Sequence, residues 1–305
     1  MVREADGRGQ GQGRATDGRA DAPAGQPSGR RPTMEDVAAR AGVSRSLVSL
    51  VMRDSPKVAP ARRAAVLAAA AALGYTPHVM ASQLASRSPT VLAVLVSDLH
   101  NPYFADVVDG IEAAATEAGL QTILSSGGRD PGREERSVAM LLGFRPAGLV
   151  VLSPVAAASA LADAAAQVPV VAVERVLRGV DTVLDDGLVG SALAVDHLVA
   201  LGHRRLVHLD GGPGARATLR RKGFRAAADR HGVDALVEPS EYTEAAGSAA
   251  ITRLLGRGTR FTAVVAANDV NAIGAIDALA GAGLRVRQDV SVVGYDNTHL
   301  ASLRH

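Results

Sequence analysis

From Pro89 onward, short apolar runs alternate with longer segments of helical periodicity. The first run, Val91–Val96, is apolar throughout, as a strand buried on both faces requires. Further strands are predicted at Thr122–Leu124, Gly148–Leu152, Val168–Val173, Leu206–Leu209, Ala263–Ala266 and Ser291–Gly294. Helices are predicted from Asn101-Pro102 to about Ala118, at Arg133–Phe144 and Ala157–Ala166, from Asp186 to Leu201, and at Leu219–His231, Ala245–Leu255 and Asn268–Ala282. This alternation predicts an α/β core of two lobes with parallel sheets, whose ligand binds beyond the carboxyl ends of the strands, in the cleft between the lobes.

A smaller all-helical pattern precedes this core. Thr33 begins a capping-box-like start to a short helix, Met34–Ala41, which Gly42 ends. Ser44 caps a second short helix, and Pro60 starts a third. Two short helices around a glycine turn, closed by a third helix, predict a helix-turn-helix unit.

The domain boundaries follow from these patterns and from charge. We divide the chain into a disordered tail (1–32), a headpiece (33–77), a hinge helix with linker (78–88) and a two-lobed core (89–305). Residues 33–88 carry a net charge of +4, whereas the core carries −4. A basic module ahead of an acidic one indicates a nucleic-acid-binding unit joined to a domain with a different role.

Composition excludes several classes of protein. Hydrophobic residues make up 47% of the chain, which is incompatible with disorder throughout, and the absence of cysteine excludes disulfides and thiol nucleophiles. The longest apolar run, Ala64–Leu73, is too short to span a membrane, and the N-terminus lacks the apolar stretch of a secretory signal. The sequence has no HExxH metal motif and no GxSxG elbow. We therefore expect a cytoplasmic protein that is not an enzyme and that holds no metal or cofactor.

Six segments, in order and suitably spaced, resemble the LacI/GalR family of transcriptional repressors. They are DVAARAGVSRSLVSLV (36–51), LGYTPHVMASQL (73–84), DLHNPYF (98–104), VDHLVALGHRR (195–205), AANDVNAIGA (266–275) and DVSVVGYDN (289–297). The resemblance implies a helix-turn-helix headpiece, a hinge helix and a core like that of periplasmic sugar-binding proteins. It also implies a homodimer that binds palindromic operator DNA and responds to a small effector, a sugar or sugar derivative.

The second helix of the headpiece is the expected reading element for DNA. Its first exposed side chains, Arg45 and Ser46, and a turn later Ser49 and Leu50, are predicted to meet base edges in the major groove. Arg45 is the one long donor among them, and guanidinium to guanine is the commonest specific contact, although a contact to phosphate alone is the alternative.

The resemblance assigns further residues to DNA: Thr33, Ser44, Arg53, Tyr75, His78 and Leu84. Leu84 would be an apolar wedge inserted into the minor groove at the operator centre, on a hinge segment, Val79–Ala85, too short to be a stable helix alone. The alternative for Leu84 is a linker residue on the surface of a lobe.

Three candidate ligand groups follow predicted strands directly. Glu174 comes after the strand that ends at Val173, Asn268 follows the strand that ends at Ala266, and Asp296 follows Gly294. By the resemblance, Arg220 is the effector-binding arginine, and three aromatic side chains line the cleft: Tyr103, Phe104 and Tyr242. Planar polar groups beside aromatic rings suit a polyhydroxylated ligand. The alternatives are helix or turn caps for Asp296 and Asn268, and a core position for Phe104.

Two further expectations concern the whole protein. The family resemblance runs to DVSVVGYDN (289–297) and the sequence stops at His305, whereas family members continue for several dozen residues. We therefore expect a truncated form with a sheet edge uncovered in the first lobe and reduced stability, and the alternative is a natural short form that closes the sheet by another pairing. The alternative to a repressor is a sugar-binding protein or enzyme on the same core with a vestigial headpiece, which the intact basic headpiece disfavours.

Overall fold

The computed structural model describes residues 30–76 and 89–302, which belong to two separate compact units, the headpiece and the core. Most of the predicted N-terminal tail and the predicted hinge helix, with His78 and Leu84, lie outside the described residues.

The headpiece is a bundle of three helices: α1 (Met34–Ala41), α2 (Arg45–Met52) and α3 (Pro60–Leu73). Thr33 and Asp36 form a complete capping box at the start of α1, and Gly42 ends that helix with a φ of 65°. Val37, Val48 and Val66 are fully buried where the three helices meet. The predicted helix-turn-helix unit is thus present, with an apolar core made of small side chains.

The first lobe of the core is a sheet of five parallel strands flanked by helices. Its elements are β1 (Val91–Val96), α4 (Pro102–Glu117), β2 (Gln121–Ser126), α5 (Pro131–Gly143), β3 (Gly148–Leu152), α6 (Ala158–Ala165), β4 (Val170–Val173) and β5 (Asp181–Val183). The strand order is β2-β1-β3-β4-β5. Residues 93–96 of β1 are fully buried, because β2 and β3 pair with it on both sides and helices cover the sheet.

The second lobe repeats this architecture with four parallel strands. Its elements are α7 (Gly187–Ala200), β6 (Arg205–Leu209), α8 (Ala215–His231), β7 (Asp234–Glu238), α9 (Glu244–Gly256), β8 (Ala263–Val265), α10 (Asp269–Gly281) and β9 (Ser291–Val293), followed by a 3-10 turn (His299–Ser302). The strand order is β7-β6-β8-β9.

The strand orders fix where a ligand can bind. In each lobe the second strand lies on one side of the first strand, and the later strands lie on its other side. The strand order therefore reverses between β1 and β3 in the first lobe and between β6 and β8 in the second. At such a point, loops leave neighbouring strand ends in opposite directions and open a crevice. The loops that follow β1, β3 and β4 in the first lobe face those of the second lobe across this crevice.

The structure confirms the predicted fold class and shows two strands that the sequence pattern missed. One is β5, with only three residues, and the other is β7, whose sequence Asp-Ala-Leu-Val-Glu is exposed over its first half. Both lie at sheet edges, where exposure removes the apolar run that identifies a buried strand. The expected instability of a truncated first lobe stays a prediction.

None of the described helices combines the length and the apolar character needed to cross a membrane.

Candidate functional site

A cavity of about 410 Å³ lies between the two lobes of the core. Side chains from the first lobe, including Ser97 and Glu174, form one wall, and Arg216 and Tyr242 of the second lobe form the other. The site is therefore assembled from loops after parallel strands and from the start of α8, as predicted for this fold.

Arg220 is a deeply buried charge beside this cleft. Its side chain is 2% exposed, and Nη2 lies 2.9 Å from Asp185 Oδ2 and 3.3 Å from Asp296 Oδ1. Nη1 donates a hydrogen bond to the carbonyl of Ala267 at 2.6 Å, and the guanidinium carbon lies 3.5 Å from the ring centroid of Tyr295. Burial opposes the charge of Arg220, but the neighbouring carboxylates outweigh it and raise the pKa of the guanidinium.

A second arginine, Arg216, joins the two lobes. It lies one turn before Arg220 on α8 and forms an ion pair with Glu174, which follows β4 of the first lobe. Its guanidinium carbon also lies 5.7 Å from the ring centroid of Tyr103 and 5.2 Å from that of Tyr242. Arg216 thus contributes a cation between two aromatic rings, one from each lobe.

The two carboxylates of the cleft are perturbed by burial. The side chains of Glu174 and Asp296 are 1% and 2% exposed. Burial raises the pKa of Glu174, against the pull of Arg216, and raises that of Asp296 to about 6. Buried titratable groups with displaced pKa values are typical of functional sites.

Several buried polar atoms of the cleft have no hydrogen-bond partner within the described residues. They are Glu174 Oε1, Arg216 Nε, Arg220 Nε, Tyr242 OH and Asp296 Oδ2. Leaving such an atom unpaired costs about 1–3 kcal/mol, so native structures rarely tolerate a group of them without a reason. Donors and acceptors that converge on one cleft are available to a polar ligand.

Backbone strain concentrates at the same place. Arg129, Ser153, Glu174 and Asp296 all have φ between 49° and 96°, in the left-handed region that non-glycine residues seldom adopt. Each follows a strand and lies at or beside the cleft. Strained residues persist where surrounding structure holds them, and they cluster at ligand sites.

The structure brings together five of the seven predicted effector residues: Tyr103, Glu174, Arg220, Tyr242 and Asp296.

The other two predicted residues fit their alternative interpretations better. Phe104 is 5% exposed in a cluster with Val94 and Leu152, although its ring also reaches the cavity wall. Asn268 is fully buried and caps α10, where Oδ1 accepts a hydrogen bond of 2.9 Å from the backbone N–H of Asn271.

Sequence reasoning missed three residues of the site. Asp185 lies at the crossing between the lobes, where no strand pattern points to it, and Tyr295 adjoins the predicted Asp296. Arg216 lies one helical turn before Arg220 on the same face of α8, and this four-residue spacing could have identified it.

The four residues predicted to read DNA bases differ in their exposure. Arg45 and Ser46 are exposed at the start of α2, and Arg45 Nε lies 3.0 Å from Glu35 Oε1. Ser49 is half-buried, and so is Leu50, which packs against the headpiece core. We expected Leu50 to be exposed. Leu50 is less exposed than expected because its side chain packs against the apolar interior of a three-helix bundle that has few large residues.

The other headpiece residues predicted to contact DNA also have structural roles, some of which the sequence predicted. Ser44 Oγ accepts a hydrogen bond from the backbone N–H of Leu47 at 3.2 Å, and Thr33 closes the capping box. Arg53 caps the end of α2, and its Nε donates to the carbonyl of Ser49 at 3.2 Å. Tyr75 is half-buried against the core, which raises the pKa of its hydroxyl.

Among the residues that the structure describes, no three histidine, aspartate or glutamate side chains are grouped so as to hold a metal ion.

Two family models match the chain. Residues 88–304 match periplasmic binding proteins and the sugar binding domain of the LacI family, and residues 33–78 match bacterial regulatory proteins of the lacI family.

Characterised relatives share about a third of the sequence. The transcriptional regulator GalR of Salmonella typhimurium is 36% identical over 87% of this chain and 80% of its own length. CelR of Thermobifida fusca is 36% identical over 89% and 84%, and the ribose operon repressor of Escherichia coli is 33% identical over 88% and 84%.

Solved structures of regulators have the same fold. The lac repressor dimer bound to operator and the anti-inducer ONPF superposes with a TM-score of 0.77 at 31% identity, over 90% of this chain and 84% of that one. A CelR–cellobiose complex gives a TM-score of 0.62 at 34% identity, over 89% and 85%.

Proposed function

The chain belongs to the LacI family of bacterial regulatory proteins, and on that premise we propose that it is a repressor whose operator affinity depends on a sugar bound in the cleft. It acts in the cytoplasm as a homodimer, so that two headpieces meet the two halves of a palindromic operator. Relatives support these roles, since they are named as transcriptional regulators and one is solved as an operator-bound dimer.

The observation that carries the proposed ligand class is the set of unpaired polar atoms in the cleft. Glu174, Asp296 and Tyr242 offer oxygens, and Arg216 and Arg220 offer N–H donors, all of them buried. A sugar presents several hydroxyls, each a donor and an acceptor, and can satisfy both kinds of group at once. The CelR structure with cellobiose supports a sugar as the chemical class.

The aromatic rings supply the other half of sugar recognition. Tyr103 stands on the first lobe and Tyr242 on the second, and each lies within 6 Å of the Arg216 guanidinium. Aromatic faces pack against the apolar C–H faces of a sugar ring, while polar groups at the edge fix its orientation. A ring that entered the cleft would therefore contact both lobes.

Contact with both lobes is what allows the ligand to act on DNA binding. The lobes are linked across the cleft by the Arg216–Glu174 ion pair, and Arg220 binds Asp185 at the crossing between them. A sugar that competes for these groups binds one arrangement of the lobes better than another. The difference in sugar affinity between the two lobe arrangements supplies the free energy that changes operator affinity. By the same coupling, operator binding changes the affinity for the sugar by the same factor.

The test is operator binding measured with and without sugars. A selected palindromic duplex, titrated at two salt concentrations, should show tight binding that weakens steeply with salt, since phosphate contacts release counterions. A panel of mono- and disaccharides that includes cellobiose should contain one sugar that changes the operator affinity at least several-fold. Turnover of a sugar, or no preference for any duplex, would contradict the proposal.

The role of Arg45 can be tested on the same duplexes. Arg45→Ala should weaken binding by about 1–3 kcal/mol and relax the preference at one base position of each half-site, if the side chain reads guanine. An equal loss on all duplexes would reduce Arg45 to a phosphate contact. Arg40, exposed on α1, provides a matched control for the loss of one positive charge.

A further inference from the structure

Two buried carboxylates lie behind the cleft, one in each lobe, and neither lines the cavity. Glu134 is fully buried in the first turn of α5, and Asp269 is 6% exposed at the start of α10. Among the described residues, neither has an arginine, lysine or histidine within ion-pairing distance. Each carboxylate instead accepts hydrogen bonds from groups of its own lobe.

Glu134 ties together loops that leave three neighbouring strands. Its Oε2 accepts hydrogen bonds from the backbone N–H groups of Val155, at 2.7 Å, and Ala156, at 2.8 Å, in the loop after β3. Its Oε1 accepts from the hydroxyl of Ser97, the residue after β1, and Ser97 Oγ also lies 2.8 Å from the carbonyl oxygen of Ser153. Ser97, Ser153 and Val155 all line the cavity.

The loop after β2 completes this arrangement. A Cβ atom at Gly127 would collide with the side chain of Glu134, so the absence of a side chain there makes room for the carboxylate. One acid therefore contacts the ends of β1, β2 and β3, the three adjacent strands that contain the crevice of the first lobe.

Asp269 holds one loop of the second lobe, the loop after β9. Its Oδ2 accepts hydrogen bonds from the backbone N–H of Thr298, at 2.7 Å, and from the Thr298 hydroxyl, at 2.9 Å. Its own N–H donates to the carbonyl of Tyr295 at 2.9 Å, and a Cβ atom at Gly294 would collide with its carboxylate. The loop so held carries Asp296, which pairs with Arg220 in the cleft.

We propose that Glu134 and Asp269 are positioning residues, each of which holds the ligand-facing loop of its own lobe in place without touching the ligand. The proposal rests on the cleft being the ligand site, as proposed above. Both residues lie in the first turn of a helix, and both are beside a glycine that leaves room for them. Held in this way, the strained backbone at Ser153 and at Asp296 keeps its left-handed conformation.

Amide hydrogen exchange tests the positioning role directly and needs no ligand. Glu134→Ala should accelerate exchange of the Val155 and Ala156 amides by about 10- to 100-fold, the change expected when an N–H loses a charged acceptor. Asp269→Ala should do the same for Thr298. Each variant should leave the amides of the other lobe unchanged, so the two variants control for each other.

Conservative and neighbouring substitutions separate positioning from general stability. Glu134→Gln and Asp269→Asn keep a carbonyl acceptor and should restore protection to within about threefold of the wild-type protein. Glu135→Ala removes an exposed carboxylate whose Oε1 lies 3.3 Å from the N–H of Ala157, and it should not change exchange at Val155. Where Glu134→Ala does not fold, Glu134→Asp withdraws the carboxylate by one methylene and serves the same purpose.

The outcomes differ for a positioning residue and for a core residue. Faster exchange confined to Val155 and Ala156 supports the proposal, as does a loss of cellobiose affinity of at least tenfold without a matching loss of thermal stability. Faster exchange throughout the lobe, or no change at those amides, overturns it. A wild-type protein that fails to bind cellobiose argues against that sugar as effector but leaves the exchange result, and with it the positioning of the loops, to be judged separately.

Discussion

The headpiece and the ligand cleft are built over very different distances along the chain. In the described part of the headpiece, the side-chain hydrogen bond between Arg63 and Asp54 joins residues nine apart in the sequence, and the other side-chain hydrogen bonds there join residues that are closer in the sequence. In the cleft, the contact between Arg216 and Glu174 spans 42 residues and that between Arg220 and Asp296 spans 76. The headpiece is thus fixed by local sequence, whereas the cleft exists only after both lobes have folded.

The two regions also differ in what they bury. The headpiece interior is apolar and its charges are exposed, so its stability comes from side-chain burial. The cleft groups two arginines with the buried carboxylates of Glu174 and Asp296 and the half-buried one of Asp185, an arrangement whose desolvation cost offsets much of its attraction. Such a cluster contributes little to net stability, and its benefit lies in ligand binding.

Loss of Arg220 should produce the largest effect and should confine it to the core. Arg220→Ala removes the nearest cation of the buried Asp296 and the ion-pair partner of the half-buried Asp185, so the free energy of unfolding of the core should fall by about 3–5 kcal/mol. Chemical denaturation followed separately for the two units should show an unchanged headpiece transition. Arg225→Ala, an exposed arginine on the same helix, is the control and should change stability by less than about 0.5 kcal/mol.

Acid should reveal two opposite contributions within the core. Burial lowers the pKa of His208 from 6.5 to about 4 and raises that of Asp296 from 3.8 to about 6. As the pH falls from 6.5 to 4, the unfolded chain takes up the His208 proton first, which destabilises the core. The folded chain takes up the Asp296 proton first, which stabilises it. Each contribution is about 3 kcal/mol.

Substitution separates these two contributions. Relative to the wild-type protein, His208→Asn should make the core progressively more stable as the pH falls towards 4, and Asp296→Asn should make it progressively less stable. Urea denaturation between pH 4 and 7 measures both, with the exposed His197→Asn as the control. Curves that run parallel to that of the wild-type protein would show that these groups do not titrate as their burial implies.

A substitution that creates a cavity in the headpiece should have a smaller effect on stability and should weaken DNA binding alone. Val48 is fully buried between the three helices, and Val48→Ala should lower the free energy of unfolding of the headpiece by about 2 kcal/mol. Operator affinity should fall with it, while sugar binding to the core, measured by calorimetry, should not change. A matching loss of sugar affinity would mean that the two units are not independent.

The smallest effect is expected at the surface of the headpiece. Glu35 and Arg45 form an ion pair in which both side chains are more than half exposed, so Glu35→Gln should change headpiece stability by less than about 1 kcal/mol. Because it frees Arg45, operator affinity should rise slightly at low salt. A fall in affinity would show that Glu35 orients Arg45 for its contact.

The sequence predicted the fold more completely than the site because its signals are of two kinds. Apolar runs such as Val91–Val96, and caps such as Thr33 and Ser44, act within a few residues and can be recognised along the chain. Strand ends also pointed to Glu174 and Asp296, whose carboxylates pair with Arg216 and Arg220 in the structure.

The residues that escaped prediction depend on tertiary contacts. Asp185 acquires its partner only when α8 packs beside the crossing between the lobes, and Arg216 meets Glu174 only across the cleft. Asn268 had the right place in the sequence, but its side chain turns back to cap its own helix. The helical pattern placed Leu50 at an exposed position, but its side chain packs inward because the bundle has few large apolar residues.

The most direct test of the cleft as regulatory site is the sugar response of Asp296→Asn. The sugar that most alters operator binding by the wild-type protein is titrated into complexes of each protein with the same duplex. We expect Asp296→Asn to bind the operator within about threefold of the wild-type affinity and to lose the sugar response, because the buried carboxylate that pairs with Arg220 beside the cleft is gone while the headpiece is untouched. An undiminished sugar response in this variant would contradict the assignment of the effector site to the cleft.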